Sequence, residues 1–128
     1  MTFRRLTLLT SALCLLLAVV WLSFPEWILT HWSVGYGYDG GLVSRRMACL
    51  FFALSVLLFG LRKVEAPDLK SAVRNGVIAA CMSLAALGVY ELVSGHAGVG
   101  ILFAIGLEAL VTLAFVTLKP GEERVASI

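Results

Sequence analysis

The sequence predicts an all-α integral membrane protein, built as a bundle of four transmembrane helices. Two bulk properties indicate this class: 60% of the 128 residues are hydrophobic and only 14% are charged. Soluble domains average about 45–50% apolar and about 25% charged residues. Because a soluble globule of this size could not bury so much apolar surface, we expect the chain to cross a lipid bilayer.

Four apolar stretches have the length that a bilayer requires. A hydrocarbon core about 30 Å thick needs about 20 helical residues at a rise of about 1.5 Å each. The first stretch ends at Pro25, and the last ends at Lys119-Pro120-Gly121, where proline and glycine stop a helix. We predict a single domain with spans over residues 6–24, 42–61, 76–93 and 99–118, and an outer loop over residues 25–41.

The basic residues in the short loops predict the orientation of these spans. Cytoplasmic loops are enriched in lysine and arginine. Most basic residues of this chain fall on one predicted side, namely Arg4, Arg5, Arg62, Lys63, Lys70, Arg74, Lys119 and Arg124. We therefore expect a multi-pass protein with both termini and the loop over residues 62–75 in the cytoplasm.

Four charged residues lie inside predicted spans, namely Arg45, Arg46, Glu91 and Glu108. A charged side chain at the bilayer centre costs at least about 2.5–3.5 kcal/mol on insertion scales, so such residues usually face protein or water. Glu108 is near the middle of its span, whereas Arg45, Arg46 and Glu91 lie nearer the outer ends of their own spans. Either they form an outer Arg–Glu cluster that binds a headgroup, a proton or a substrate, or they form ion pairs that join the helices.

The outer loop is rich in aromatic residues, namely Trp27, Trp32, Tyr36 and Tyr38. Tryptophan and tyrosine favour the membrane–water interface, so residues 26–32 are expected to form a short interfacial helix. The glycine-rich residues 35–41 are expected to form turns. The loop is either a binding surface over the bundle or an interfacial anchor that connects two spans.

The third span carries small residues at helical spacing, namely Gly76, Ala80, Ser83 and Gly88. Small residues let transmembrane helices approach each other closely. This face is predicted to pack against another helix, which belongs either to this bundle or to a partner.

Motifs for catalysis and for metal or cofactor binding are absent from the sequence. It contains no phosphate-binding loop, no dinucleotide fingerprint and no H-E-x-x-H motif. The three cysteines are odd in number and form no C-x-x-C pair, so we expect neither a metal nor a cofactor. A net charge of +2 without a basic stripe argues against nucleic-acid binding. A lipid-active enzyme using Glu91, Arg45 and His96 stays open as a minor alternative, but no catalytic residue is assigned.

The region around the second span resembles small four-span bacterial inner-membrane proteins. The resemblance rests on Gly41-Leu42-Val43-Ser44-Arg45-Arg46-Met47-Ala48, on Arg62-Lys63 and on Arg74-Asn75-Gly76. The general plan is similar to the DoxX-like group, and the resemblance covers spans two to four. It implies a bacterial inner-membrane location and carries over no catalytic residue.

These observations predict a non-enzymatic accessory, assembly or interaction subunit. Its expected partners are membrane lipids and another membrane protein, or a second copy of itself. The alternative is a protein that binds or carries a lipid or a lipophilic small molecule, using the Arg–Glu cluster in the outer half of the bundle.

Overall fold

A computed structural model describes residues 2–35 and 37–118 of the chain. These residues form five α-helices and one 3-10 turn, without a strand: α1 (Phe3–Ser23), α2 (Pro25–His31), α3 (Tyr38–Leu61), α4 (Pro67–Val93), the turn Val99–Ile101 and α5 (Leu102–Thr117). All except α2 belong to helical segments long and apolar enough to cross a membrane. The prediction of an all-α bundle with four spans is confirmed, and by length and composition the chain is a multi-pass membrane protein.

Two helices begin earlier than the sequence predicts. The expectation of turns over residues 35–41 is wrong for residues 38–41, because α3 begins at Tyr38 and includes both Gly40 and Gly41. A Cβ at Gly40 would lie 3.6 Å from the Leu29 side chain, an ordinary van der Waals contact, so α2 packs against this first turn of α3. The other early start is that of α4, at Pro67 and not near residue 76. Proline is favoured in the first turn of a helix because it has no N–H to leave unpaired.

The α1 and α3 helices pack along much of their length and form the first hairpin of the bundle. Small residues on the two helices are buried, at alternating steps of three and four residues along α1. They are Thr7, Ser11, Cys14 and Ala18 on α1, and Ser44, Ala48 and Ser55 on α3. Such spacing keeps one stripe facing the partner helix, and small side chains let the two backbones come close together.

Ser11 and Ser55 connect these two helices by reciprocal hydrogen bonds. The Ser11 hydroxyl donates to the Ser55 carbonyl oxygen at 2.7 Å, and the Ser55 hydroxyl donates to the Ser11 carbonyl oxygen at 2.9 Å. Both side chains are buried. Side-chain-to-backbone bonds of this length require that the helices touch, so the pair fixes both their separation and their register.

The α4 and α5 helices form a second antiparallel hairpin. Gly88 is buried at their contact, where an added Cβ would lie 2.8 Å from Cγ1 of Ile105. At the other end, Arg74 donates from Nε to the Phe115 carbonyl at 2.9 Å and from Nη2 to the Val116 carbonyl at 3.3 Å. These carbonyls belong to the last turn of α5, where a cation also opposes the helix dipole.

The two hairpins meet mainly at the end that carries Phe3 and Leu118, here named the terminal end. One apolar cluster there contains residues of all four long helices, with Phe3, Leu58, Val77 and Phe115 buried in it. The opposite end carries α2 and is named the α2 end. Its apolar cluster contains Trp21, Ile28 and Ala48. Their partly buried neighbours also belong to α1, α2 and α3, apart from Trp32, which follows α2 directly.

A backbone hydrogen bond links the hairpins at the α2 end. The Gly98 N–H donates to the Trp32 carbonyl oxygen at 2.6 Å. A Cβ at Gly98 would lie 2.5 Å from the Ser33 hydroxyl oxygen, and one at Gly100 would collide with the His31 carbonyl. At Gly100 the obstacle is the His31 backbone, which cannot give way, so glycine is required there; at Gly98 the obstacle is the Ser33 side chain.

We expect Ser11→Ala and Ser55→Ala each to lower the free energy of unfolding by about 0.6 kcal/mol, and by no more than about 1.7 kcal/mol, the range for such bonds in membranes. The two hydroxyl oxygens also lie 3.3 Å apart, and both bonds depend on the same helix separation, so the double variant should cost less than the sum of the single variants. Steric trapping in bicelles measures these values. Ser83→Ala is the control, since this exposed hydroxyl bonds only to the Ala79 carbonyl of its own helix. Strictly additive effects would contradict the reciprocal geometry.

Candidate functional site

Arg45 and Arg46 lie within α3, near the α2 end, and both are exposed. In the described part of the chain neither guanidinium forms an ion pair or a hydrogen bond with Glu91 or Glu108. The reason is geometric: Ser44 faces α1, and successive helical residues turn by about 100°. Arg45 and Arg46 therefore point about 100° and 200° away from that contact. The predicted Arg–Glu cluster is not assembled within the described residues.

Glu91 has a local partner near the α2 end. Its Oε2 accepts a hydrogen bond from His96 Nδ1 at 2.9 Å, and the Glu91 side chain remains about one-third exposed. The backbone carbonyl of Glu91 also accepts from the N–H groups of His96 and Ala97. The pair closes the turn between α4 and the 3-10 turn, so it links positions five residues apart and does not join two long helices.

Glu108 lies at the middle of α5, on the same face as the buried Phe115 and Ile101. Its carboxyl group is half-buried and has no hydrogen-bond or ion-pair partner within residues 2–35 and 37–118. The thiol of Cys81 on α4 is near this carboxyl group, and the Thr112 hydroxyl, one turn further along α5, donates to the Glu108 backbone carbonyl at 2.9 Å. The carboxyl group therefore faces the interior of the bundle.

Together with Cys14 of α1, which approaches Cys81, these groups form a midplane cluster of Cys14, Cys81, Glu108 and Thr112. It brings three helices together at one depth. Sequence reasoning identified only Glu108 among its members, although Cys81 has the helical spacing that places it opposite α5. The cluster offers an acceptor carboxyl group for which the described residues supply no donor.

The aromatic residues of the predicted outer loop occupy different environments. Trp32 is partly buried and meets Trp21 edge to face, with ring centroids 5.4 Å apart. Trp27 is 65% exposed and stacks on His31, with centroids 5.5 Å apart. Tyr36 lies outside the described residues, and so does the side chain of Tyr38. Trp32 thus anchors α2 on α1, whereas Trp27 is available to the surroundings.

The small residues predicted on the third span divide between two faces of α4. Gly88 packs inward against α5, whereas Gly76, Ala80 and Ser83 are exposed. Five small exposed residues follow the heptad steps of four and three along the face opposite Cys81. This α4 small-residue row consists of Ala72, Gly76, Ala79, Ser83 and Ala86. Sequence reasoning singled out some of its members, and the alternating spacing would have found the rest.

No group of three or more His, Cys, Asp or Glu side chains that could hold a metal ion occurs in the described part of the chain. No protein-family model matches the sequence, and neither a curated protein nor a solved structure matches it. The similarity to DoxX-like proteins therefore stays a prediction.

The division of the α4 glycines predicts opposite responses to a larger side chain. Gly88→Leu should lower the free energy of unfolding by about 1–3 kcal/mol, because it overpacks the contact with Ile105. Gly76→Leu should not lower it, because nothing lies within 4 Å of a Cβ there and leucine is a better helix former than glycine. Steric trapping of both variants against wild type checks this contrast, and equal losses would contradict the assigned faces.

Proposed function

We propose that the protein is a non-enzymatic assembly subunit of the membrane, which binds another transmembrane helix along the α4 small-residue row. The observation that supports this is the exposure of the whole row in a chain that packs its own α1 and α3 through rows of the same kind. Helices in lipid associate by close packing of small residues, because lipid tails are as apolar as the helices.

The favoured occupant is α4 of a second copy of the chain. A row made only of alanine, glycine and serine is complementary to itself, because neither side presents a large side chain that would need a hole on the other. A two-fold axis along the membrane normal would place two such rows face to face, in the isologous arrangement that most homodimers use. Ser83 bonds within its own helix at 2.7 Å, so the row has no hydroxyl group left without a partner.

The orientation and location belong to the same proposal. Arg4, Arg5, Arg62 and Lys63 belong to the terminal end, and the positive-inside rule then places this end in the cytoplasm. The resemblance to bacterial inner-membrane proteins supports that membrane as the location. The α4 rows of two copies would then run parallel, with both α2 ends on the far side of the membrane.

Resonance energy transfer between copies carrying donor and acceptor fluorescent proteins, reconstituted in liposomes, tests the contact. Gly76→Leu should reduce the apparent association constant about tenfold or more, since a lost 1.4 kcal/mol is a factor of ten and a bulky side chain separates the rows. Gly60→Leu on α3 is the matched control, because a Cβ there also has nothing within 4 Å.

Transfer that is absent in wild type, or unchanged by Gly76→Leu, would contradict a contact through α4. Loss of transfer in the Gly60→Leu control to the same extent would contradict it as well. Proximity labelling in cells tests the identity of the occupant. If the chain does not self-associate but labels a different membrane protein, and Gly76→Leu abolishes that labelling, the occupant is that protein and not a second copy.

A second candidate function, binding of a lipophilic small molecule, is supported by the unpartnered carboxyl group of Glu108. A ligand with a hydrogen-bond donor would satisfy this carboxyl group, and Cys81 and Thr112 would line the same place. The sequence-based alternative, a protein that binds or carries a lipid or lipophilic molecule, therefore depends on Glu108 and no longer on Arg45 and Arg46.

We expect Glu108→Gln to weaken the binding of such a ligand while the protein stays folded, because glutamine keeps the shape but not the acceptor pair of a carboxylate. Screening lipophilic amines by thermal shift, with wild type and Glu108→Gln compared, measures this. Thr112→Val serves as a second variant beside the carboxyl group. Ligands that stabilise Glu108→Gln and wild type equally would contradict a site at Glu108.

A further inference from the structure

Arg45 and Arg46, here named the arginine pair, occupy an unusual place in the membrane-spanning surface. Arg45 is the eighth residue of α3, so its Cα lies about 10 Å along the helix axis from Tyr38 at about 1.5 Å per residue. Both residues fall inside the apolar segment Gly40–Leu61. A guanidinium group is always charged, so at this depth it needs an anionic partner or water.

The chain itself supplies no partner to the arginine pair in its described part, although it does so for two other arginines. Arg62 donates to the Phe59 carbonyl and lies over the Phe59 ring, 3.7 Å from its centroid. Arg74 binds two carbonyls at the end of α5. Arg45 and Arg46 are exposed without such contacts, so their donors are directed out of the bundle.

The surface around the arginine pair is apolar. Leu42 lies one turn before Arg46 and Leu50 one turn after it, and both are exposed, Leu50 by 72%. Val43, one turn before Arg46 on its other side, is 62% exposed. A matching occupant therefore has to present an oxyanion to two arginines and hydrocarbon to Leu50 and the apolar surface of α3 that follows it.

We propose that the arginine pair is a binding site for an anionic phospholipid, held in the leaflet at the α2 end. Its phosphate would accept hydrogen bonds from the two guanidinium groups, which bind phosphate through planar, paired donors. Its acyl chains would lie along Leu50 and the apolar surface of α3 beyond it. The long arginine side chains extend toward the headgroup level while their stems stay in the apolar layer.

The two charges select for a lipid with net negative charge. A zwitterionic headgroup brings its own cation next to the arginine pair, whereas phosphatidylglycerol does not. Basic residues near an anionic membrane surface contribute about 1 kcal/mol each, which corresponds to about a fivefold preference per arginine. An acidic peptide has the charge but would leave Leu50 and the apolar surface of α3 beyond it without an apolar partner.

Native mass spectrometry of the full chain, titrated in detergent with phosphatidylglycerol or phosphatidylcholine, tests the site. In wild type the first phosphatidylglycerol should bind at least about fivefold more tightly than phosphatidylcholine. The double variant Arg45→Gln/Arg46→Gln should lose this preference. Arg45→Lys/Arg46→Lys should keep part of it, since lysine retains the charge but not the planar donors.

The control variant is Arg4→Gln/Arg5→Gln, an exposed arginine pair at the start of α1. It should keep the preference, because Arg4 and Arg5 lie in the first turn of α1, at the helix end, whereas Arg45 and Arg46 lie two turns inside α3. An unchanged preference in the Arg45/Arg46 double variant, or the same loss in the control, would overturn the proposal. If the glutamine variant does not fold, the lysine variant and the single variants Arg45→Gln and Arg46→Gln carry the test.

Competition distinguishes a lipid from other anions. Glycerol phosphate and a polyglutamate peptide, each at millimolar concentration, should not displace bound phosphatidylglycerol, because they cannot satisfy the apolar surface. Displacement by either would overturn the assignment to a lipid and indicate a site for soluble phosphate or for an acidic segment. The site is independent of the α4 small-residue row, so self-association in liposomes should be the same for both glutamine double variants and wild type.

Discussion

The close contact between α1 and α3 is the constraint on which the rest of the structure depends. Ser11 and Ser55 each donate to the other's backbone carbonyl, at 2.7 Å and 2.9 Å, so the helices must touch at this level. Only small residues fit along the stripe, and the large apolar side chains are moved to other faces. α1 thereby becomes the most buried of the four spans, with α3 on one face and the second hairpin near the other.

This constraint also determines where the polar groups of the membrane segment lie. With Ser44 directed at α1, Arg45 and Arg46 turn away from the bundle, and no glutamate reaches them among the described residues. Glu108 belongs to the other hairpin and faces inward, toward Cys81. These charged residues therefore do not meet. Arg45 and Arg46 are directed out of the bundle, and the carboxyl group of Glu108 is directed into it.

The hydrophobic runs were sufficient to predict the class, the number of spans and most of their boundaries. They could not predict the early start of α4, because residues 67–75 are too polar for a span yet extend its helix. The expected Arg–Glu cluster depended on which face of each helix turns inward, and apolar patterns do not determine this when lipid and core are equally apolar. Gly76 and Gly88 illustrate the difficulty, since one is exposed and the other is buried although both are small.

A tightly joined α1–α3 pair thus carries a second hairpin that is attached mainly at the terminal end. Force spectroscopy in a bilayer, pulling on the C-terminus of the whole chain, tests this arrangement most directly. The α4–α5 hairpin should come out first and at a lower force, and the α1–α3 pair should follow in a separate event at a higher force. Extraction of all four spans in one event, or release of α1 and α3 at the lower force, would contradict the account.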